Sequence, residues 1–196
     1  MSVYFHSSFT LNRERISGIL NYLIKQPELS DEQIAKTFGY KAPFVKRYKS
    51  WLKKCGVIKN SNKIELTEYG KIIWKKDSKL KKEPTLWYMY DCLISSEENA
   101  ESWNFFHHTF LPKNKSFSKA ELSNALSMKL MAHNPSHFAK EAPMIKVITK
   151  VLIDSYISDK AFGPLNILES KDGIFVRKEI KNPKKWTNKE DFAELL

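Results

Sequence analysis

Residues 30–56 read SDEQIAKTFGYKAPFVKRYKSWLKKCG, and this stretch decides the fold of the first part of the chain. Ser30, followed three residues later by Gln33, is a capping box, so a short helix is predicted to begin there. Gly39 marks a tight turn after that helix, and Pro43 stands where the first turn of the next helix accepts proline. The stretch therefore predicts two helices joined by a short turn.

The second of these helices, predicted to run to about Cys55 and to end at Gly56, has two different faces. Its apolar residues follow the spacing of one buried stripe, which is formed by Phe44, Tyr48, Trp51, Leu52 and Cys55. The opposite side is basic and carries Lys46, Lys49, Ser50 and Lys53, flanked by Arg47 and Lys54. A helix of about 14 residues is about 21 Å long, which is enough to lie across a groove of DNA.

The elements around this helix pair complete a known order. Apolar residues at helical spacing predict a helix over 13–26, and residues 57–58 and 64–66 predict the two short strands of a β-hairpin. Three helices followed by a hairpin is the order of a winged helix-turn-helix, which offers its third helix to the major groove of DNA. Lys59 and Lys63, in the turn of the hairpin, would then reach neighbouring phosphates.

The second half repeats parts of this plan without evident sequence identity. Two aromatic-rich helices are predicted over 85–94 and 100–110, and a further helix over 142–156. Between them lie a polar break at 113–117 and a capping box at 118–121. A hairpin around an Asp-Gly turn is predicted from 165–168 and 174–176. We therefore predict a mainly α protein with small β-hairpins, in which two winged helix-turn-helix-like units pack through a central aromatic-rich helical region. The predicted domains are a basic one over 1–80 and a neutral one over 81–196.

The excess of positive over negative charge lies entirely in the first part of the chain. The 196 residues have a formal net charge of +11; residues 1–82 hold 18 basic and 7 acidic side chains, whereas residues 83–196 hold 15 of each. This asymmetry favours a nucleic-acid partner, the alternative being a solvated surface that keeps the protein soluble. Lysine ammonium groups contact phosphates as point charges, whereas bidentate base reading favours Arg, Asn or Gln, so weakly specific binding to the backbone of duplex DNA is expected.

The residues predicted to contact DNA lie on the third helix, just before it and in the hairpin turn: Lys41, Lys46, Arg47, Lys49, Ser50, Lys53, Lys54, Lys59 and Lys63. No catalytic residue, metal ligand or cofactor is assigned.

Composition argues against several other classes of protein. Hydrophobic residues make up 42% of the chain and aromatic residues 13%, which is enough for a buried core. No apolar run approaches the roughly 18–20 residues of a membrane span, and residues 1–6 lack the pattern of a signal peptide, so a cytoplasmic protein without a membrane partner is expected. Cys55 and Cys92 fit reduced core thiols. Residues 191–196 read like the opening of a helix cut short, which leaves open that the natural chain is longer.

Several segments, in their order along the chain, resemble the domain-of-unknown-function 4007 family. They are Phe5-His-Ser-Ser-Phe9, Leu66-Thr-Glu-Tyr-Gly70, Thr85-Leu-Trp87, Ser102-Trp-Asn-Phe-Phe106 and Val151-Leu-Ile-Asp-Ser-Tyr156, the last before a terminal hairpin. The family is similar to proteins that are encoded beside sulfurtransferases in bacterial DNA phosphorothioation and phage-defence gene clusters. The resemblance therefore implies a component of a DNA modification or defence system that works with other proteins of that system. It implies no catalytic residues.

Two alternatives remain open from the residues. A metal-dependent DNA nickase needs converging carboxylates, for which the candidates are Asp91, Glu97, Glu98 and Glu101, with His107 and His108 close behind. Acidic residues at a helix start and histidines beside an aromatic core explain the same residues without catalysis, and His133 and His137 lack a carboxylate or thiol at ligand spacing. The other alternative is a transcriptional regulator or a protein–protein adaptor. An adaptor would dock partners through aromatic residues of the second half, the candidates being Trp87, Tyr88, Tyr90, Trp103, Phe105 and Phe106.

Overall fold

The computed structural model describes residues 3–61, 63–179 and 186–196. The helices are α1 (Arg13–Lys25), α2 (Asp31–Thr37), α3 (Ala42–Lys54), α4 (Glu68–Lys76), α5 (Glu83–Ile94), α6 (Glu97–Phe105), α7 (Leu111–Lys113), α8 (Lys119–Leu130), α9 (Pro135–Phe138), α10 (Pro143–Ile157) and α11 (Lys189–Leu195). The strands are β1 (Ser116–Ser118), β2 (Leu168–Lys171) and β3 (Ile174–Arg177). A π-helical turn spans Phe106–Phe110, and a 3-10 turn spans Gly163–Leu165. The predicted mainly α class is confirmed.

The chain divides into two compact units, and each is built from two stretches of sequence. Unit 1 comprises Met1–Thr10 and Ile94–Ile180, and unit 2 comprises Leu11–Leu93 and Lys181–Leu196. The predicted domain boundary between residues 80 and 81, and the identification of both halves as winged helices, stay predictions.

The helices of unit 2 begin where side chains satisfy their first backbone N–H groups. Asn12 accepts the N–H of Arg15 at the start of α1, and the predicted capping box of Ser30 and Gln33 is present at α2. Helix α3 has Pro43 in its first turn and no side-chain cap. Thr67 caps α4 by accepting the N–H of Gly70. These caps supply partners for donors that a helix start otherwise leaves unpaired.

The core of unit 2 includes the predicted stripe of α3, which is completely buried. That stripe packs with α1 and α2, and its buried members are Phe44, Tyr48, Trp51, Leu52 and Cys55. Each large apolar side chain removed from water in this way contributes roughly 1.5–3 kcal/mol. One side of α3 is therefore fixed by the core, and the opposite side is left to solvent.

The predicted hairpin of unit 2 is reduced to a single antiparallel bridge, so the prediction of two strands was wrong. The bridge joins Ile58 and Leu66, and the Lys59 N–H donates to the Glu65 carbonyl at 2.8 Å. The Thr67 N–H still donates to the Val57 carbonyl at 3.1 Å, but Thr67 also caps α4, so the pairing cannot continue beyond it in that direction. Asn62, within the predicted turn, lies outside the described residues.

Unit 1 contains a three-stranded antiparallel sheet in the order β1-β3-β2. The register pairs Phe117 with Phe175 across β1 and β3. Asp172 and Gly173 join β2 to β3 with φ values of 49° and 79°, as a tight hairpin turn of two left-handed residues requires. The hairpin was predicted, but its first strand begins at Leu168 and not at 165. Helix α7 ends at Lys113, within the predicted polar break, but strand β1 at Ser116–Ser118 was not predicted.

The helices of unit 1 enclose an aromatic core. Ser96 caps α6, the backbone kinks at Ala100, and the helix then passes through the π-helical turn into α7. Trp103 and Phe106 are fully buried, and the Phe106 and Tyr156 rings meet edge to face at 4.9 Å between centroids. The helix predicted over 100–110 is therefore continued to Lys113 in three different local conformations. Across the described ranges, every helix is too short or too polar to span a bilayer.

Candidate nucleic-acid interface

The solvent side of α3 and the loop after it bring together the predicted DNA-contacting residues of unit 2. The Lys53 ammonium donates to the Ser61 carbonyl at 2.8 Å. This bond joins the last turn of α3 to Ser61, which lies between the predicted loop lysines Lys59 and Lys63 in sequence.

Three of the predicted lysines are engaged within unit 2. Lys49 Nζ lies 2.6 Å from Asp31 Oδ1 of α2, Lys59 Nζ lies 2.7 Å from Glu65 Oε2, and Lys53 bonds to the loop as described. A phosphate would have to compete with these partners. Their positive charge is therefore less available than the sequence indicates.

Three other predicted lysines are exposed and carry the available charge. Lys41 precedes α3, Lys46 lies on its second turn, and Lys63 lies in the loop. Within the part of the chain that the structure describes, no ion pair joins any of them to a carboxylate. They are the groups best placed to meet a phosphate.

The remaining predicted residues are partly withdrawn from solvent. Arg47, Ser50 and Lys54 are half-buried. The Ser50 hydroxyl donates to the Lys46 carbonyl at 3.1 Å, and burial lowers the pKa of Lys54. These three residues are less exposed to solvent than Lys41, Lys46 and Lys63.

Arg15 and Tyr40 were not predicted, yet they flank the start of α3. The Arg15 guanidinium donates to the Tyr40 hydroxyl at 2.9 Å and to the Tyr48 hydroxyl at 3.4 Å. The bond to Tyr48 is the main cause of the raised pKa of Arg15. The Tyr40 ring stacks on Phe44 at 4.2 Å between centroids. A tyrosine directly before Lys41 in a tight turn was the signal that could have identified this aromatic support.

Two of the carboxylates proposed for a nickase, Glu97 and Glu101, are used in contacts within unit 1, whereas Asp91 belongs to unit 2. Glu101 is buried, and both of its carboxylate oxygens contact His133 Nε2, at 2.9 and 3.0 Å. Lys129 Nζ lies 2.7 Å from Glu97 Oε1 and 3.8 Å from Glu101 Oε1. His133 therefore has a carboxylate partner, contrary to the expectation from spacing. Among residues 3–61, 63–179 and 186–196, no three His, Cys, Asp or Glu side chains form a group that could hold a metal ion.

The predicted docking aromatics are core residues with one partial exception. Trp87, Tyr88, Tyr90, Trp103 and Phe106 are buried, and Phe105 is half-buried. The buried rings offer no surface to a partner.

The two cysteines lie in unit 2 and form no disulfide with each other. Cys55 is fully buried, and burial raises the pKa of its thiol well above its usual range. Burial also raises the pKa of the Cys92 thiol. Both thiols are therefore protonated near neutral pH, which gives neither of them the thiolate character of a nucleophile.

His107, in the π-helical turn of unit 1, has a strongly lowered pKa. Burial lowers its pKa from 6.5 to about 4, and the positive charges of His108 and Arg177 act in the same direction. The folded state thus favours the neutral ring.

Because the unfolded chain binds this proton more readily, we expect the free energy of unfolding to fall between pH about 6.5 and about 4. A difference of this size corresponds to at most about 3 kcal/mol, and solvent screening of the partly exposed ring reduces it to about 1–2 kcal/mol. Urea titrations at several pH values should show a smaller loss for His107→Asn than for the wild type. Parallel pH profiles of the two proteins would contradict this assignment.

Comparison with known proteins agrees with the sequence resemblance. Residues 5–176 match the family model described as Protein of unknown function (DUF4007). No curated protein matches the chain significantly.

Two solved structures are similar in fold. One is described as a magnesium ion-bound SspB crystal structure, with a TM-score of 0.65, and the other as an SspB crystal structure, with a TM-score of 0.68. Each shares 16% sequence identity with this chain, and each match covers 92% of this chain and 61% of the SspB chain. The chain thus spans about three fifths of the length of these SspB chains. Because the family match extends through most of the sequence, the chain belongs to the DUF4007 family.

Proposed function

We propose that this protein binds duplex DNA through unit 2, mainly by contacts to phosphates. The observation that carries the proposal is the exposure of Lys41, Lys46 and Lys63 beside α3, with the 59–63 loop held to that helix by Lys53. Phosphate contacts from lysine fix a protein on DNA but carry no sequence information directly. The protein is therefore a weakly specific DNA-binding component.

The family resemblance supports a wider role for this DNA contact. We infer that the protein acts in the bacterial cytoplasm as part of a DNA modification or phage-defence system, alongside other proteins of a phosphorothioation cluster. The proposal includes docking to those proteins, but the buried aromatic residues cannot form the docking surface. That surface would have to lie elsewhere on the molecule.

The test is a triple variant of the exposed lysines, Lys41→Gln/Lys46→Gln/Lys63→Gln. Each neutralised phosphate contributes about 0.9 to the slope of log affinity against log salt, so losing three contacts is expected to make the slope shallower by about 2.7. At about 0.1 M salt the same loss corresponds to an affinity decrease of about 500-fold. Fluorescence anisotropy with a labelled duplex over a range of salt concentrations measures both quantities.

A control variant of equal charge change separates local contacts from net charge. Lys25, Lys75 and Lys79 are exposed lysines of unit 2 that lie outside the candidate interface. Replacing these three by Gln is expected to change the salt slope much less than the first variant does. The proposal fails if both variants weaken binding equally, or if the first variant folds and binds with an unchanged slope.

A further inference from the structure

Unit 1 contains an open pocket of about 400 Å³ between the start of α8 and the start of α10. Three lysines from different segments line it: Lys119 begins α8, Lys140 lies between α9 and α10, and Lys146 lies in the first turns of α10. Ser123 and Asn124 of α8 add polar groups to the wall. We call this cavity the α8–α10 pocket.

The charge in the α8–α10 pocket is unbalanced. Glu141 is the one acidic residue of its lining, and its carboxylate lies 3.1 Å from Lys146 Nζ. Of the carboxylates in the described ranges, none forms an ion pair with Lys119 or Lys140. Because residues 83–196 hold equal numbers of basic and acidic side chains, this local excess of ammonium groups is a concentration of charge in an otherwise neutral region. Converging like charges without carboxylate partners favour an anionic ligand.

The size and position of the pocket narrow the class of anion. A cavity of several hundred Å³ accommodates a group as large as a nucleotide. The lysines and the cavity carry this assignment. The start of α10 adds little to it, because Pro143 has no N–H and the Ile145 N–H donates to the Ala142 carbonyl at 3.1 Å.

We propose that the α8–α10 pocket binds a phosphate group of the DNA backbone, which gives unit 1 a nucleic-acid contact of its own. This contact is separate from the one proposed for unit 2. It rests on the proposed function only in taking DNA as the polymer that supplies the phosphate. A free nucleotide or inorganic phosphate offers the same chemical group. The phosphodiester is favoured because the pocket is open to solvent and a continuous strand can pass across its mouth.

The experiment follows backbone amide signals of the full chain by NMR. A short DNA duplex, dAMP and inorganic phosphate are titrated separately. With the duplex, we expect shifts at residues 119–124 and 140–146 in the wild type and also in the Lys41→Gln/Lys46→Gln/Lys63→Gln variant. Persistence of the shifts in that variant separates this pocket from the contact proposed for unit 2, so either proposal can fail alone.

Two variants of equal charge change test the lysines themselves. The pocket variant is Lys119→Gln/Lys140→Gln/Lys146→Gln, and its matched control replaces Lys113, Lys115 and Lys171, which are exposed lysines of unit 1 outside the pocket lining. Loss of one phosphate contact is expected to weaken duplex binding about tenfold at about 0.1 M salt and to make the salt slope shallower by about 0.9. The control is expected to bind within about twofold of the wild type.

Three outcomes would overturn the proposal. The duplex could leave the amides of the pocket unshifted, or the control could weaken binding as much as the pocket variant does. Alternatively, dAMP or inorganic phosphate could saturate the pocket at lower concentration than the duplex, which would assign it to a free phosphate compound. Matching circular dichroism spectra and thermal unfolding of the variants verify that each of them is folded.

Discussion

Replacing Gly70 by alanine is expected to destabilise the protein by about 3 kcal/mol, although alanine usually stabilises a helix relative to glycine. Gly70 lies in the first turn of α4. A β-carbon there would stand 2.0 Å from the carbonyl oxygen of Val57 and 3.0 Å from Thr67 Oγ1. The first of these atoms belongs to the backbone, so α4 or the Val57 segment must move. That movement disturbs the 3.1 Å hydrogen bond from the Thr67 N–H to the same carbonyl.

Gly39→Ala is the matched control for this prediction, because it changes the same atoms in the same unit. Gly39 has a φ of +73°, and a β-carbon there would meet nothing within 4 Å. Its replacement is therefore expected to cost only the left-handed backbone penalty of about 1 kcal/mol. Guanidinium unfolding of both variants measures the difference. Equal destabilisation by the two substitutions would show that the Val57 carbonyl yields easily to a side chain at position 70.

Binding of the wild-type protein to duplex DNA is expected to fall about 1,000-fold when salt rises from about 50 to about 200 mM. If about six phosphates are neutralised, the slope of log affinity against log salt is roughly −5. A slope of about −5 is expected of a site in which the exposed and the ion-paired lysines of unit 2 all contact phosphates. The ion pairs of Lys49 and Lys59 must open before these two side chains contribute fully.

Anisotropy titrations with duplexes of unrelated sequence provide the measurement. Because contacts to phosphates carry no sequence information, duplexes of different sequence should show similar slopes and affinities. Affinity that is independent of salt would contradict phosphate binding. A strong preference for one sequence would indicate base contacts and would contradict weakly specific binding.

The parts of the fold that could be predicted are those set by short stretches of sequence. The capping boxes at Ser30 and Ser118 were predicted, and both are present. The same is true of the tight turn at Asp172 and Gly173. Each depends on hydrogen bonds or backbone preferences within about four consecutive residues, so the sequence around each position contains all the required information.

The elements that were missed depend on partners far along the chain. Strand β1 is only three residues long and exists because Phe117 pairs with Phe175 of β3. Its polar flanks at Ser116 and Ser118 are typical of a loop when read alone. Conversely, the segment after α3 had the local pattern of a hairpin, but among its described residues the pairing is one bridge between Ile58 and Leu66, and the start of α4 at Glu68 ends it on one side.

The candidate interface shows the same division. The exposed position of Lys46 follows from helical periodicity around the buried stripe of α3, and it was predicted. The ion pair of Lys49 with Asp31 joins residues 18 positions apart in sequence, and the contact of His133 with Glu101 joins residues 32 positions apart. Periodicity assigns a residue to a face of its helix but does not identify the residue opposite it on another element.

The two-stretch construction of unit 2 has a consequence for how the protein is made. Phe192 of α11 is fully buried, and its ring meets Tyr69 at 5.2 Å and Tyr88 at 5.4 Å between centroids. During synthesis, Tyr69 and Tyr88 emerge from the ribosome before roughly 100 further residues are added, which takes about 5–20 seconds at about 5–20 residues per second. During that interval the two tyrosines lack the aromatic ring that covers them in the finished protein. Completion of unit 2 therefore follows translation of unit 1, which ends before Phe192.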